Sequence, residues 1–115
     1  MVSAARIDEV RKMPSVDLQT RHFFGGGVCI KRMEMAAGTV AISHKHKYDH
    51  QSILGEGRAR VICDDVTVDM RAGDCINIRA GKHHEIQALE DVTWFCIHAI
   101  DETDETKIDK VIIEG

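Results

Sequence analysis

Residues 38–57 read GTVAISHKHKYDHQSILGEG, and this stretch decides how the rest of the chain is interpreted. It places His44, His46 and His50 between two glycines. In a β-strand the side chains of His44 and His46 would point to the same side, because successive residues alternate. Neutral imidazole is the commonest metal ligand in proteins. The stretch therefore predicts a metal site, with solvated loop histidines as the alternative.

The sequence around this stretch reads as a series of short strands. Val40 and Ile42 precede the histidines with the same alternation, so we expect all four side chains to face a barrel interior. Residues 58–63 and 66–70 read as a hairpin joined by the two aspartates at 64–65. Short strands separated by such turns are typical of β-sandwiches and barrels. The sequence predicts an all-β fold.

Length and composition limit the class of protein. The chain of 115 residues fits one domain. It contains no apolar run near the roughly 18 residues of a membrane-spanning helix, and no signal-peptide pattern. The formal net charge is −4 and the basic residues are scattered, so no nucleic-acid footprint is present. We expect a cytoplasmic protein with neither a membrane nor a nucleic-acid partner.

The cysteines have no Cys-x-x-Cys spacing and lie among strand-like neighbours. We expect them to be reduced and buried as small hydrophobic residues. A disulfide framework in a secreted domain is the alternative. The four positions are Cys29, Cys63, Cys75 and Cys96.

The first 27 residues differ from the strand-rich remainder. Residues 3–13 have the charge order of a short helix, and Pro14 is expected to end it. Three glycines at 25–27 predict a flexible break, without the spacing of a phosphate-binding loop. We therefore divide the chain into an N-terminal arm with its glycine break, residues 1–27, and a barrel, residues 28–115.

The glycine and histidine spacing resembles that of the cupin family, a small jelly-roll β-barrel. The family's first motif is a glycine, five residues, His-x-His, three or four residues, glutamate, six residues and a glycine. This chain has Gly38, five residues, His44-x-His46, three residues, His50, six residues and Gly57. His50 stands where the family usually has glutamate.

The family's second motif is matched in part. It runs glycine, five residues, Pro-x-Gly, two residues, histidine, three residues and asparagine. Here Gly73 is followed by five residues, Arg79, one residue, Gly81, two residues and His84. Arg79 replaces the proline, and Ala88 replaces the asparagine. The second half of the resemblance is therefore less complete than the first.

The resemblance implies a single cupin jelly-roll barrel with one metal site at its end. The implied ligands are His44, His46, His50 and His84. They would bind one divalent transition metal, with iron or manganese favoured and zinc or nickel as alternatives. An imidazole in place of the carboxylate leaves about +2 rather than +1 formal charge, which favours anionic or enolate ligands. Four protein ligands on an octahedral ion leave two positions for a small molecule.

The resemblance leaves the activity open between two classes. One is a metal-dependent enzyme on a small oxygenated molecule, either dioxygenase-like or an isomerase or lyase. The other is a non-catalytic module that binds metal and a small molecule, and a scaffold with vestigial histidines is a third interpretation. No catalytic residue is assigned. Small barrels of this family commonly pair, so a homodimer is expected.

The remaining polar candidates are expected to have structural or surface roles. His83 is expected at the rim, because neighbouring strand residues face opposite sides, and Glu85 faces away from His84 for the same reason. His98 is interpreted as a structural histidine, with substrate contact or support of a ligand as the alternative. We expect the others to be solvated or salt-paired. The alternatives are that Tyr48 or Asp49 orients a ligand or acts as an acid or base, and that Arg58 or Arg60 faces inward and binds a carboxylate. These others are His22, Tyr48, Asp49, Arg58 and Arg60.

Overall fold

The computed structural model describes residues 20–43 and 45–99. Those ranges contain nine β-strands and no helix, which confirms the all-β prediction. No helix in them is therefore long and apolar enough to cross a membrane. The strands are β1 Thr20–Gly25, β2 Val28–Met35, β3 Val40–Ile42, β4 His50–Glu56, β5 Arg58–Cys63, β6 Val66–Arg71, β7 Cys75–Ile78, β8 Glu85–Ala88 and β9 Val92–His98.

The strands form two antiparallel sheets. The first has the order β1-β2-β9-β4-β7 and the second the order β3-β8-β5-β6. A single hydrophobic cluster draws residues from both sheets, so their inner faces pack against each other. Trp94 and Leu54 of the first sheet are fully buried in this cluster, together with Ala59 of the second. This apolar packing fixes the two sheets face to face.

The predicted glycine break is a tight turn. Gly26 and Gly27 have φ angles of 59° and 74°, and they join β1 to β2 as a two-residue hairpin. Positive φ at both central positions gives the turn whose twist matches a hairpin, and glycine adopts it without steric cost. Residues 20–25 thus belong to the first sheet. The division into arm and barrel after residue 27 stays a prediction, and the predicted helix at 3–13 lies outside the described residues.

Strand β3 corrects the predicted facing of the histidine stretch. The strand ends at Ile42, so its alternation does not extend to His46. Ala41 joins the core cluster and pairs with Ile86, whereas Ile42 is 38% exposed. Ile42 therefore does not face the interior as predicted, whereas Val40 is buried at 1% exposure but lies outside the core cluster. A period of two assigns faces only within a continuous strand, and the chain leaves the strand before the histidines.

The second sheet contains the predicted hairpin. β5 and β6 are joined by a turn in which Asp64 has a φ of 54°. Arg60 Nε donates to Asp69 Oδ1 at 2.7 Å on the exposed face, and Arg58 lies 3.7 Å from Glu90. Both arginines point outward, as predicted, and neither faces the interior.

The cysteines are unbonded to one another, as predicted, but they are not all buried. Cys29, Cys63 and Cys96 are buried. Cys75 is exposed, because it opens the edge strand β7 and turns its side chain away from the core. Alternate residues of that strand face inward, and Ile78 is one of them.

Candidate functional site

Strand order in the first sheet brings two histidines together. His50 begins β4 and His98 ends β9, and these strands are neighbours. The register pairs Gln51 with Ile97, which puts the two histidines opposite each other one step further on. Their ring centroids are 4.3 Å apart, and the residues are only 6% and 5% exposed. Both imidazoles therefore point into the space between the sheets.

His46 joins this pair from the loop between β3 and β4. Its ring centroid lies 4.7 Å from that of His50 and 5.4 Å from that of His98. His46 Nδ1 is 3.2 Å from His50 Nδ1. Two imidazoles bound side by side to one ion have their ligating nitrogens about 3.0–3.4 Å apart, given metal–nitrogen bonds of about 2.1 Å. The separation fits a shared proton, and it also fits a shared metal ion.

His84 is held at the same end by the main chain. It is 2% exposed, and its N–H donates to Ser43 Oγ at 2.8 Å. The Ser43 N–H donates to the His84 carbonyl, also at 2.8 Å. His83, next to it, is exposed and lies with Nδ1 2.8 Å from the Ser43 carbonyl, as expected for the rim. The two histidine-bearing loops are thus joined through Ser43.

Two buried ring nitrogens of this cluster have no hydrogen-bond partner among the residues that the structure describes: His50 Nε2 and His84 Nδ1. Buried polar atoms are nearly always bonded, so an unsatisfied one indicates a missing ligand or ion. Within residues 20–43 and 45–99, however, no three metal-binding side chains converge in a finished coordination geometry. The residues fit a metal in their donor chemistry and burial, but their rings do not yet form a complete shell.

The histidines are held in the form that binds metals. Burial lowers the pKa of His50 from 6.5 to about 3, and the nearby His98 and His46 act in the same direction. Burial also lowers the pKa of His84, against a hydrogen bond to the Lys82 main chain that raises it. Both imidazoles are therefore neutral near pH 7. A neutral ring keeps a lone pair available, as coordination requires.

This depressed pKa predicts an acid-labile metal-free protein. Between the His50 pKa of about 3 and the unfolded value of 6.5, the unfolded chain binds the extra proton. Stability is therefore complete above about pH 6.5 and falls as the pH drops, by at most about 1.4 kcal/mol per pH unit before solvent screening reduces it. His46, His84, His98 and Lys31 face the same ring and lower its pKa together.

The measurement is the urea midpoint of chelator-treated protein from about pH 7 to about pH 5, a window above the titration of the surface carboxylates. The control variant His50→Gln removes the titrating ring. Its midpoint should fall less over the same window. A wild-type midpoint that stays constant or rises on acidification contradicts the depressed pKa.

Asp49 links the loop between β3 and β4 to the end of β7 and the loop that follows it. Its Oδ1 accepts the Ala80 N–H at 2.8 Å and its Oδ2 accepts Asn77 Nδ2 at 3.0 Å. These bonds, the first more than the second, lower the pKa of Asp49. The Gly81 N–H donates to the His46 carbonyl at 3.0 Å alongside them. Asp49 is exposed, as expected from the sequence, and it also positions the histidine loop through these hydrogen bonds.

Comparison with known families agrees with this arrangement. The family model described as "Cupin_2: Cupin domain" matches residues 31–98, more than half of the chain. The chain belongs to this cupin family. The matched range includes the loop of His46 and the segment before β8 that carries His84.

Solved structures share the fold of this cupin at low sequence identity. A cupin-2 domain containing protein from Shewanella frigidimarina is 17% identical with a TM-score of 0.60, covering 81% of this chain and 90% of that one. A cupin 2 domain-containing protein from Halorhodospira halophila is 18% identical with a TM-score of 0.64, covering 84% and 77%. The EutQ protein of Clostridium difficile is 20% identical with a TM-score of 0.62, covering 80% and 69%.

These similarities confirm the jelly-roll prediction and extend no further than the fold. No curated protein matches this cupin. The chemistry therefore has to be argued from its own residues.

The predicted ligand set is partly brought together in the described residues. His46 and His50 are in contact, and His84 lies close enough for its charge to act on His50. His44 lies outside the described residues, so metal binding by the four histidines stays a prediction. His98 is in contact with His46 and His50, whereas the sequence suggested a structural role. Its position depends on β9 lying beside β4, which no local pattern reveals.

The other candidates lie away from the cluster. Tyr48 is 56% exposed. His22 is half-buried and stacks on Phe24 with ring centroids 6.2 Å apart, so the expectation of an exposed residue was wrong. Glu85 is buried and accepts a hydrogen bond from Gln87 Nε2 at 2.7 Å.

Proposed function

We propose that this cupin binds one divalent transition metal through His44, His46, His50 and His84, and uses it in an enzymatic reaction of a small oxygenated molecule. The observation that carries the proposal is the buried Nε2 of His50, which lacks a partner beside the close Nδ1 pair of His46 and His50. A buried ring nitrogen without a hydrogen bond lowers stability. A bound ion would satisfy it.

The donor set narrows the choice of metal. Imidazole nitrogens suit iron, nickel, copper and zinc, whereas manganese is better matched by carboxylate and water. Of iron and manganese, both expected from the family resemblance, iron is the one we retain, with zinc and nickel as alternatives. A bound divalent ion supplies Lewis-acid polarisation of a carbonyl or enolate oxygen.

The protein's own residues shape the site around that ion. His98 packs against both His46 and His50 and so restricts how their rings turn. Further along the same strands, Trp94 and Leu54 are fully buried in the apolar core. A polar ligand therefore has to enter from the histidine end.

Two neighbouring histidines test this proposal. His84→Ala is expected to lose most of the metal retained after loading with Fe(II), Ni(II) or Zn(II) and desalting, because it removes a buried ligand. His83→Ala is the matched control, since His83 is the exposed neighbour at the rim. Elemental analysis of both variants gives the metal per chain. Full retention in His84→Ala would exclude His84 as a ligand.

A binding module without turnover is the second candidate, and one observation favours it. Among the described residues near the cluster, Asp49 is engaged by Ala80 and Asn77. That carboxylate is not available as a general acid or base. This candidate predicts that a small ligand binds tightly and is recovered unchanged after prolonged incubation with metal-loaded protein. The homodimer and the cytoplasmic location stay predictions.

A further inference from the structure

A lysine lies on the inner face near the histidine cluster. Lys31 stands in β2 between Cys29 and Met33, which are 0% and 7% exposed and point inward. The alternation of the strand gives Lys31 the same inward side. Its register partner on β9 is Cys96, and Cys96 in turn pairs with Ser52 on β4. Lys31 thus begins a row of inward residues across three strands.

The adjacent row contains the histidines. Cys29 pairs with His98, and His98 lies beside His50. Lys31 is therefore a diagonal neighbour of His98, and long side chains reach such neighbours. The positive charge of Lys31 contributes to the lowered pKa of His50, and it also acts on the buried thiol of Cys96. The ammonium group lies within electrostatic range of the cluster.

Lys31 has no acidic partner in the part of the chain that the structure describes. The buried carboxylate there, Glu85, is on the other sheet. It precedes the inward core residue Ile86, so it points away from the interior. A half-buried lysine near a cluster of imidazoles, with no acidic partner among the described residues, favours a ligand that brings negative charge.

We propose that Lys31 binds the carboxylate of the small molecule that this cupin takes, which makes that molecule a short 2-hydroxy or 2-oxo acid. Its neighbouring oxygen would then face the histidines, and this part of the inference rests on the proposed function. Ser52 supplies a second donor in the same row, because its hydroxyl is fully buried and has only the weakly accepting thiol of Cys96 beside it. Lys31 is the residue that selects an acid over its neutral analogue.

Pairs of acids and amides test this assignment. Glycolate, lactate and pyruvate, each beside its neutral amide, are titrated calorimetrically into metal-loaded wild type, Lys31→Met, Lys31→Arg and Lys82→Met. Methionine keeps the length of the side chain and matches the neighbouring Met33. Lys82 is the control, because it forms a surface pair with Asp64 at 2.9 Å. Circular dichroism verifies that each variant is folded.

We expect wild type and Lys82→Met to bind at least one acid about tenfold or more tighter than its amide, as for a charged hydrogen bond. The preference should vanish in Lys31→Met and persist in Lys31→Arg. An unchanged preference in Lys31→Met, or none in wild type, overturns the assignment. Metal content is measured on the same samples. A Lys31-dependent preference in samples that hold no metal would support this assignment and contradict the metal-dependent function.

Discussion

Replacing His50 by alanine is expected to lower the affinity for Ni(II) or Zn(II) by at least about 100-fold. His50 Nδ1 lies 3.2 Å from His46 Nδ1, and His50 Nε2 is buried without a partner among the described residues, so one nitrogen can bind the ion while the other supports the ring. Its pKa of about 3 means that no proton competes near neutral pH. Alanine removes this donor and leaves a cavity that water fills.

The informative control is His50→Glu. Glutamate is the residue that the cupin motif usually has at this position, and a carboxylate is itself a good ligand. This variant should keep metal binding, which separates loss of a ligand from loss of packing. Affinity is measured by competition with a chromophoric chelator. Equal affinities of His50→Ala and wild type would show that His50 is a structural histidine.

Gly57→Ala is expected to lower the free energy of unfolding by more than about 3 kcal/mol. Gly57 has a φ of +80°, and a Cβ there would collide with the Asp91 carbonyl oxygen and lie 3.0 Å from Val92 Cγ1. The methyl group therefore meets rigid backbone in addition to an unfavourable backbone conformation. The backbone before β5 must therefore move away from Asp91.

Gly73→Ala separates these two effects. Gly73 has a φ of +96°, but nothing lies within 4 Å of the position that a Cβ would take there. This variant should cost only the strain of the backbone conformation, about 1–2 kcal/mol. Both values come from urea denaturation in the same buffer. A Gly57→Ala variant as stable as Gly73→Ala would contradict the close approach at Asp91.

Local patterns predicted the parts of the fold that depend on local sequence. The β5–β6 hairpin follows from two strand-like runs around a two-residue turn, and the outward Arg58 and Arg60 follow from alternation within one strand. The prediction that His46 continues the alternation of β3 was wrong, because the strand ends at Ile42. The prediction that Cys75 is buried was also wrong, because its apolar sequence neighbours do not show that β7 is an edge strand.

The motif spacing predicted that His46, His50 and His84 lie at one end of the fold. His46, His50 and His84 lie in or beside the two loops that Asp49 and Ser43 hold together. The other inward residues, His98 and Lys31, depend on the order β2-β9-β4, in which strands distant in sequence become neighbours. No single-sequence pattern specifies that order. The positions of His98 and Lys31 therefore could not be predicted, because they depend on pairing between distant strands.

The most direct test of metal binding by the histidine cluster is elemental analysis of protein purified without chelator or a nickel-affinity step, beside a His46→Ala variant. We expect about one iron, nickel or zinc ion per wild-type chain and a large loss in the variant. Iron would direct assays to dioxygen-dependent reactions of the acids above. No bound metal in wild type even after reconstitution, or equal metal in both proteins, would contradict the account.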